Sequence, residues 1–317
     1  MSTDTRIAAR IAWHHFQEGL TQGDIAKLVG LSRGRVNQIL GELRSDGVVQ
    51  IKINTPMGAC HEAEVALVQD LGLGAAIVVP NPAPETDVRR VTGIAAGQYL
   101  SEILENNQSV GIGWGGTIDA AASAVRQRRD ATHTVVSLCG GFPVSTPINP
   151  YDVAARFARA LNGNCLYITA PMFADSKEMR ELLCTSSAIE QVLQRVPDID
   201  VALLSAVDLT PQSRSLQYGL IDDDLRQSLL KAGAVGDICG HFLDAEGNAV
   251  DHPLVEKVVA PSIASIQKIK TRILVTGGAQ KSQILKAAYK AGIFNVLITD
   301  ETSATALLEE HASSKVA

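Results

Sequence analysis

Short apolar runs rich in β-forming residues alternate with helical stretches over most of this chain, and this alternation limits its possible folds most strongly. The runs cover residues 75–79, 109–113, 134–138, 165–169, 201–207, 272–276 and 295–299. The helical stretches between them include residues 88–104, 118–125, 177–194 and 282–291. Several runs are almost continuously apolar, as in strands that are buried on both faces. The alternation predicts an α/β domain with a doubly wound, Rossmann-like, mostly parallel sheet.

Length and composition allow about two globular domains in this chain. The 317 residues are 46% hydrophobic and 20% charged, which excludes a disordered or collagen-like protein. No run approaches the ~18 apolar residues of a membrane-spanning helix, and the polar residues 1–4 lead into no secretory signal. We therefore expect a cytoplasmic protein that has no membrane partner.

Charge divides the chain unequally. Residues 1–55 carry seven Lys and Arg against five Asp and Glu, so the acidic net charge of −6 comes from the rest of the chain. Residues 54–58, Asn-Thr-Pro-Met-Gly, interrupt all regular structure between the two parts. We predict a first domain over 1–55 and a second over 56–317, and the charge difference suggests that they have different partners.

The first 46 residues fit three helices with the spacing of a helix-turn-helix. The second helix, Gln22–Val29, is followed by Gly30, which supplies the positive φ of a tight turn. Ser32 then caps a third helix over 33–44, and Ala26 is small where the two helices approach. Apolar residues close a small core: Ile25, Val29, Leu31, Val36 and Ile39. This spacing favours an all-α helix-turn-helix domain over a generic three-helix bundle.

The polar face of the third helix predicts a DNA-binding surface, because the N-terminal part of this helix enters the major groove in such motifs. Arg pairs with guanine, Asn and Gln pair with adenine, and a helix N-terminus binds phosphate. The predicted DNA-binding residues are Gln22, Ser32, Arg33, Arg35, Asn37 and Gln38. An ordinary solvated helix face is the alternative interpretation of the same residues.

Two segments near the domain boundary have open interpretations. Residues 48–53 alternate between apolar and polar, as in a half-buried strand that forms either a wing or the start of a linker. Residues 62–71 are apolar at helical spacing. They form either a linker helix that pairs subunits or the first helix of the second domain.

Ligands of doubly wound folds bind beyond the carboxyl ends of the strands, so the strand-to-helix loops hold the candidate site. The loop 111–117 matches GxGxxG, but the next strand ends in Leu-Cys-Gly-Gly without the acid that NAD binding requires. The glycines and the Thr hydroxyl instead suit a phosphate at a helix N-terminus, with a tightly packed turn as the alternative. The predicted phosphate ligands here are Gly113, Gly115, Gly116 and Thr117.

A second glycine loop, 276–282, adds Gly278 and Lys281 to the predicted phosphate site. A lysine at the start of a helix opposes the helix dipole and requires an anionic partner, which is either a bound phosphate or a nearby carboxylate. Neither loop contains the GxxxxGK[ST] pattern, which argues against an NTPase.

A third loop, 233–240, sets Asp237 among small and apolar neighbours. Such a carboxylate suits the hydroxyls of a sugar or the transfer of a proton, whereas capping of a turn is the alternative. Gly141, in the loop 140–143, is expected to wall the same pocket. We therefore predict that Asp237 and Gly141 form the sugar side of the site.

The remaining residue types point to no further chemistry. The histidines are scattered without HxH or HExxH spacing, the five cysteines form no CxxC pair, and GxSxG is absent. We expect no metal site, no catalytic residues and no cofactor, and we interpret the cysteines as small buried hydrophobic residues.

These motifs, taken in order, resemble the SorC family of bacterial sugar-responsive transcription regulators over nearly the whole chain. The resemblance rests on the segments Gly19-Leu20-Thr21-Gln22, Leu31-Ser32-Arg33, Gly113-Trp114-Gly115-Gly116-Thr117, Gly233-Ala234-Val235-Gly236-Asp237, Gly277-Gly278-Ala279-Gln280-Lys281 and Leu297-Ile298-Thr299-Asp300-Glu301. Within the family, the first domain and linker resemble those of polyol-operon regulators such as the erythritol ones. The chain departs from the family pattern at residues 204–206, Leu-Ser-Ala, where Gly-Ile-Gly is expected.

The resemblance implies a second domain similar to ribose-5-phosphate isomerase and glucosamine-6-phosphate deaminase, recast as a sensor of phosphorylated sugars. It implies that Gly115, Gly116, Thr117 and Lys281 hold the phosphate and that Asp237 contacts the sugar. It also implies a homo-oligomer, a dimer or a tetramer, on operator DNA.

The sequence as a whole predicts a DNA-binding transcriptional regulator rather than an enzyme. We expect a repressor of a carbohydrate or polyol catabolic operon, with double-stranded operator DNA and a phosphorylated sugar or polyol effector as its partners. The alternative is a sugar-phosphate isomerase that uses Asp237 as the base and Lys281 as the phosphate or oxyanion holder. The attached helix-turn-helix argues against that alternative, and a scaffold without DNA binding is a third hypothesis.

Overall fold

The structure, a computed structural model, describes residues 3–49, 60–127 and 131–316. The chain divides into two compact units, Met1–Thr55 and Pro56–Ala317, which are described separately below. Of the predicted strand 48–53, only Val48 and Val49 are described, and they form a bend. The predicted boundary residues 54–58 lie outside the described residues.

The first unit is a three-helix domain with the predicted helix-turn-helix spacing. Its helices are α1 (Thr3–Phe16), α2 (Gln22–Val29) and α3 (Arg33–Ser45). The Thr21 hydroxyl accepts from the Asp24 N–H and caps α2, Gly30 ends it at φ 70°, and the Ser32 hydroxyl accepts from the Arg35 N–H at the start of α3. The core contains Ile11, Ile25, Ala26, Val36, Ile39, Leu40 and Leu43. The prediction of an N-terminal all-α helix-turn-helix is confirmed.

The second unit alternates strands and helices, as predicted. Its strands are β1 (Ala75–Val79), β2 (Ser109–Ile112), β3 (Thr134–Gly141), β4 (Asn164–Pro171), β5 (Val201–Asp208), β6 (Gly236–Ile238), β7 (His241–Leu243), β8 (Thr271–Val275) and β9 (Val296–Asp300). Its helices are α4 (His61–Leu71), α5 (Val88–Ile103), α6 (Gly116–Ala124), α7 (Pro150–Ala160), α8 (Lys177–Thr185), α9 (Ser187–Arg195), α10 (Arg214–Gln217), α11 (Asp223–Lys231), α12 (Ile263–Gln267), α13 (Ser282–Lys290) and α14 (Glu301–Val316).

The strands form a parallel sheet in the order β1-β9-β8-β5-β2-β3-β4. The prediction of a mostly parallel α/β sheet is confirmed. An antiparallel hairpin that the sequence analysis did not predict, β6–β7, pairs with the end of β5. From β2 the chain moves outward to β3 and β4, and it then returns to place β5 on the other side of β2. This reversal makes the carboxyl ends of β2 and β5 a topological switch point, where such sheets bind ligands.

Two hydrophobic cores cover the two faces of the sheet. One core includes residues of α5, α6 and α7, and the other includes residues of α4, α9, α12, α13 and α14. The helices α5 and α6 pack closely because two residues of α5 lack a side chain: a β-carbon at Gly93 would collide with the carbonyl of Thr117, and one at Gly97 with that of Ala121. This close packing brings the N-terminal turn of α5 beside that of α6.

The helix α4 packs as the first helix of the second unit. Leu67 and Leu71 are buried in its core, and the Glu64 carboxylate accepts a hydrogen bond from the backbone N–H of Val78 in β1 over 3.0 Å. The Val78 N–H in the edge strand β1 therefore has its partner in α4, which ties this helix to the sheet. Within the described ranges, no helix combines the length and the apolar composition that crossing a bilayer would require.

Candidate functional site

A cavity of about 400 Å³ lies at the carboxyl ends of β2, β5 and β8. Four segments supply its wall: the start of α5, the loop from β2 into α6, the end of β5 with the loop that follows, and the loop from β8 into α13. The lining residues are Asp87, Val88, Arg89, Trp114, Gly115, Gly116, Thr117, Ser205, Ala206, Val207, Asp208, Thr210, Gln212, Arg214, Gln217, Gln280 and Lys281. The cavity therefore occupies the topological switch point.

The N-terminus of α6 opens into this cavity. Gly115 precedes the helix at φ 109°, and no side chain caps the first turn. The first N–H groups of a helix have no partner within it, and they carry the positive end of the helix dipole. No atom lies within 4 Å of the position that a β-carbon would take at Gly116, whereas Thr117 is buried. This arrangement suits an anion.

Lys281 is a buried cation in the same wall. Only 8% of its surface is exposed, and it forms no hydrogen bond or ion pair through its amine with any described residue. Burial lowers the pKa of Lys281 from 10.5 to about 8, although the nearby Asp208 acts in the opposite direction. The carboxylates of Asp208, Asp87 and Asp237 are close enough to influence the amine, but none of them pairs with it directly.

The start of α5 also belongs to the site, although it was not among the predicted site residues. The guanidinium of Arg89 binds both carboxylate oxygens of Asp87, at 2.8–3.0 Å. Partial burial alone would raise the pKa of Asp87, but the hydrogen bonds from Arg89 outweigh it and hold that pKa below 3.8. The available signal was an acid followed by two arginines at the start of the predicted helix 88–104.

The loop after β5 was also missed, and it adds a third cation. Arg214 donates through Nη1 to Gln217 over 3.0 Å and stacks over the ring of Tyr218, 5.8 Å from its centroid. Its Nε is buried and has no hydrogen-bond partner among the residues that the structure describes. At the end of β5 itself, Asp208 accepts hydrogen bonds from both the backbone N–H and the hydroxyl of Thr210. No local sequence pattern marked these residues, which follow the strand where the chain departs from the family.

Asp237 lies in β6, outside the cavity wall formed by the described residues. Its carboxylate accepts from the backbone N–H of Gly240 over 2.9 Å and so caps the turn between β6 and β7. Burial raises the pKa of Asp237 to about 7, against the hydrogen bond from Gly240 and the charge of Lys281. The capping role that the sequence left open is present, and a contact with a sugar stays a prediction.

Three of the predicted site glycines have packing roles and do not line the cavity within the described residues. Gly113 donates its N–H to the carbonyl of Leu203 over 2.9 Å. Gly278, at φ 95°, donates to the Asp300 carboxylate over 3.1 Å. Gly141 lies against the ring of Tyr151. The structure thus brings Gly115, Gly116, Thr117 and Lys281 together in the cavity wall, and the other three glycines lie outside that wall. Ligand contacts of all seven residues stay predictions.

The cysteines and other potential metal ligands are separate from the cavity. Cys60, Cys139 and Cys239 are buried, and Cys165 and Cys184 are half-buried. Over residues 3–49, 60–127 and 131–316, no three His, Cys, Asp or Glu side chains are grouped so that they could hold a metal ion.

The first unit presents a second candidate surface on α3, where all five predicted reading residues from Ser32 to Gln38 are exposed. Gln38 donates to the Glu42 carboxylate over 2.8 Å, and Arg35 lies 3.6 Å from the same group. Arg33 has no side-chain partner among the described residues. Asn37 is held from the other helix, because the Gln22 amide donates to its Oδ1 over 3.1 Å.

Comparison with protein families finds two matches. A family model described as "Putative sugar-binding domain" matches residues 55–309, and a "Winged helix-turn-helix DNA-binding" model matches residues 17–50. The transcriptional regulator LsrR of Klebsiella pneumoniae is 31% identical over 314 residues, which cover 96% of this chain and 93% of that protein. The erythritol catabolism regulatory protein EryD of Brucella abortus is 27% identical over 307 residues, 96% of this chain and 97% of its own.

Solved structures show the same fold. The full-length sorbitol operon regulator SorC from Klebsiella pneumoniae superposes with a TM-score of 0.71 at 23% identity, over 97% of this chain and all of that one. A DeoR family transcriptional regulator from Listeria monocytogenes also has a TM-score of 0.71, at 24% identity, over 79% of this chain and all of its own.

These relatives are transcriptional regulators, so the prediction that the chain is not an enzyme is confirmed and the isomerase alternative is set aside. The sugar-binding match spans most of the second unit, and the DNA-binding match covers α2 and α3. The chain belongs to the SorC family of sugar-responsive transcriptional regulators.

Proposed function

We propose that the cavity at the ends of β2, β5 and β8 binds a phosphorylated sugar or polyol. The observation that carries this proposal is Lys281, a buried cation that pairs with none of the described residues. It lies in the wall of a cavity that also receives the N-terminus of α6. An unpaired cation is costly to bury, and a bound anion would offset that cost. A phosphate supplies two negative charges near neutral pH and accepts hydrogen bonds from backbone N–H groups.

In this proposal the phosphate lies between Lys281 and the first turn of α6, with Gly115, Gly116 and Thr117 around it. Gly113 and Gly278 hold the backbone of the two loops from behind. Asp237 lies close enough to influence the charge of Lys281. The ionised form of Asp237 favours the protonated lysine, and Gly141 closes the neighbouring strand end.

The rest of the wall suits a chain of hydroxyl groups. Asp208, Thr210, Gln212, Gln217 and Gln280 offer both donors and acceptors around the remaining volume. Two of the similar proteins are named for polyols, erythritol in one and sorbitol in the other. A phosphorylated polyol or open-chain sugar is therefore the effector class that we favour.

We infer further that the chain acts as a repressor of a carbohydrate or polyol operon and binds its operator as a dimer or tetramer. Each chain carries one helix-turn-helix, which reads one half-site, so a two-fold operator needs two copies. The effector must bind one quaternary state better than another. A difference of ~1–3 kcal/mol changes DNA affinity about 5- to 150-fold.

The test combines DNA binding and effector binding. Fluorescence anisotropy on DNA from the upstream region, at one fixed salt concentration, reports operator affinity during titration with sugar and polyol phosphates, their unphosphorylated counterparts and inorganic phosphate. We expect a phosphorylated compound to release the DNA at concentrations where its unphosphorylated counterpart has no effect.

A matched pair of variants locates the site. Lys281→Met removes the charge with little change in volume and should leave DNA binding intact while weakening the effector response at least about tenfold. Lys268→Met, at an exposed position outside the cavity, should change neither. An equal response to an unphosphorylated sugar, together with a normal response of Lys281→Met, would show that the effector is neutral and would overturn the phosphate site.

A further inference from the structure

The hydrogen bond between Gln22 and Asn37 joins the two helices of the helix-turn-helix. Gln22 is the first residue of α2, Asn37 lies in the second turn of α3, and the Gln22 Nε2 donates to the Asn37 Oδ1 over 3.1 Å. We propose that Gln22 is a positioning residue that sets the base preference of Asn37. The inference rests on the proposed role of α3 as the reading helix, and it adds that one base pair is read jointly by two helices.

The other polar residues of α3 make this bond distinctive. Arg35 and Gln38 both lie against Glu42 of their own helix, at 3.6 Å and 2.8 Å. Arg33 has no side-chain partner among the described residues. Within the described part of the first unit, Asn37 is the one of these exposed side chains that bonds to a residue of α2. Arg33 and Asn37 are four residues apart, so they lie on the same face of the helix.

Holding the oxygen of an asparagine has a specific consequence for base recognition. A free side-chain amide can turn over, so that either its oxygen or its NH2 group faces a given direction. The bond from Gln22 uses one lone pair of the Asn37 oxygen. It fixes that end toward α2, and the NH2 group and the second lone pair remain available. Adenine requires one donor toward N7 and one acceptor for N6, which is the set that this fixed amide presents.

The orientation also lowers the cost of binding. An exposed side chain loses rotamer freedom when it docks on a base, and this loss reduces the affinity gained from the contact. The bond from Gln22 imposes that order before DNA arrives. Loss of Gln22 should therefore affect the discrimination at one base pair much more than the general attraction to DNA, which comes from phosphate contacts.

The experiment measures base preference rather than affinity alone. The operator is first located by footprinting on the upstream DNA, and each of its base pairs is then replaced singly. Anisotropy at fixed salt gives the affinity profile of the full-length protein and of Gln22→Ala, Asn37→Ala, the double variant and Arg33→Ala. The matched control is Gln17→Ala, at an exposed glutamine just after α1. Thermal unfolding of each variant verifies that the first unit is folded.

We expect one A·T pair whose replacement lowers the DNA affinity of the wild-type protein about 5- to 150-fold. Asn37→Ala should abolish that preference, and Gln22→Ala should reduce it at least about fivefold while binding to the other substituted sites changes little. The double variant should behave as Asn37→Ala alone, because both residues act on the same contact. Gln17→Ala should keep the wild-type preference at this pair. A 7-deazaadenine at the same position lacks the N7 acceptor. It should lower the DNA affinity of the wild-type protein and leave that of Asn37→Ala unchanged.

Two results would overturn the inference. Uniform weakening of all sequences by Gln22→Ala would make Gln22 a phosphate contact, and an unchanged profile would make the bond a surface contact without a role in recognition. Failure of the underlying assignment has a different signature: neither Arg33→Ala nor Asn37→Ala would then alter the preference at any base pair.

Discussion

The ring of Tyr151 occupies the space beside Gly141, where a β-carbon would collide with the ring atoms Cε2 and Cζ. The hydroxyl of this tyrosine donates to the carbonyls of Ile168 and Ala170, at 2.6 Å and 2.9 Å. The register of β3 against β4 is irregular at this place. The tyrosine therefore supplies a side-chain donor to backbone carbonyls where the β3–β4 ladder is irregular, and residue 141 must be small to admit the ring.

Gly141→Ala should consequently lower stability more than effector binding. Overpacking of this kind costs typically ~1–3 kcal/mol, which thermal or urea unfolding of the second unit would detect. Gly116→Ala is the matched comparison, since a β-carbon there meets no atom within 4 Å. It should leave the unfolding midpoint nearly unchanged and weaken the binding of the phosphorylated effector. A Gly141→Ala protein with normal stability and lost effector binding would place residue 141 in the ligand site instead.

The buried carboxyl of Asp237 should make stability depend on pH. Burial raises its pKa from 3.8 to about 7, so the folded state binds this proton more tightly than the unfolded state. The stabilisation is complete below pH 4 and is lost as the pH rises through 7, by at most about 4 kcal/mol. Asp237→Asn keeps the acceptor for Gly240 and should remove this dependence.

Urea unfolding of the wild type and Asp237→Asn at pH values from 5 to 8 measures the effect. The two stabilities should approach each other toward acid, and the variant should become relatively more stable toward pH 8. Parallel curves across the range would mean that Asp237 is ionised throughout.

Effector affinity should fall as the pH rises through 8, because the pKa of Lys281 is lowered to about 8 by burial. The phosphate has a second pKa near 6, so its charge is nearly constant in this range. Asp237 ionises near pH 7 and then favours the protonated lysine, so the fall in affinity reflects loss of the Lys281 proton. Between pH 7 and 9 the protonated fraction, and with it the affinity of the wild type, should drop about tenfold. Titration calorimetry would report this.

Lys281→Arg is the corresponding control, since a guanidinium stays charged at these pH values. Its affinity, whatever its absolute level, should be flat from pH 7 to 9. An equally steep fall in this variant would assign the pH dependence to another group of the cavity.

Arg33→Ala should weaken specific operator binding by ~1–3 kcal/mol, because no described side chain holds Arg33 away from a guanine edge. Arg35→Ala should cost less, since Arg35 must first leave the Glu42 carboxylate 3.6 Å away. Anisotropy on the operator and on a scrambled duplex at equal salt separates specific from general binding. Unchanged operator affinity of Arg33→Ala would remove α3 from the reading role.

Local patterns predicted the individual elements well. The bounds of α2 and β1 agree with the prediction, and the Ser32 cap, the Gly30 turn and the start of α3 follow from residues within a few positions of each other. Each depends on short-range hydrogen bonding or on the backbone freedom of glycine, and both follow from the identity of a few neighbouring residues. The β6–β7 hairpin was not predicted, because its strands contain only three residues each.

The glycine loop before α6 and Lys281 were predicted for the same reason, since each lies at a strand-to-helix junction that the alternation of elements reveals. The other half of the cavity was not predicted. Asp87 and Arg89 come from the start of α5 and Arg214 from the loop after β5, at long separations along the chain. Only the strand order, with β5 beside β2, brings these segments together.

The sequence by itself therefore determined most of the strands and helices of the sheet, the helix-turn-helix and the glycine-rich start of one helix. Helix periodicity, caps and turns depend on residues that are close together in the sequence, so a local pattern is enough to predict them. The tertiary structure alone decided that Lys281 is buried and pairs with none of the described residues, that Asp237 caps a turn, and that Gln22 holds Asn37. Burial and contact between distant segments depend on how the chain packs, and no local pattern encodes them.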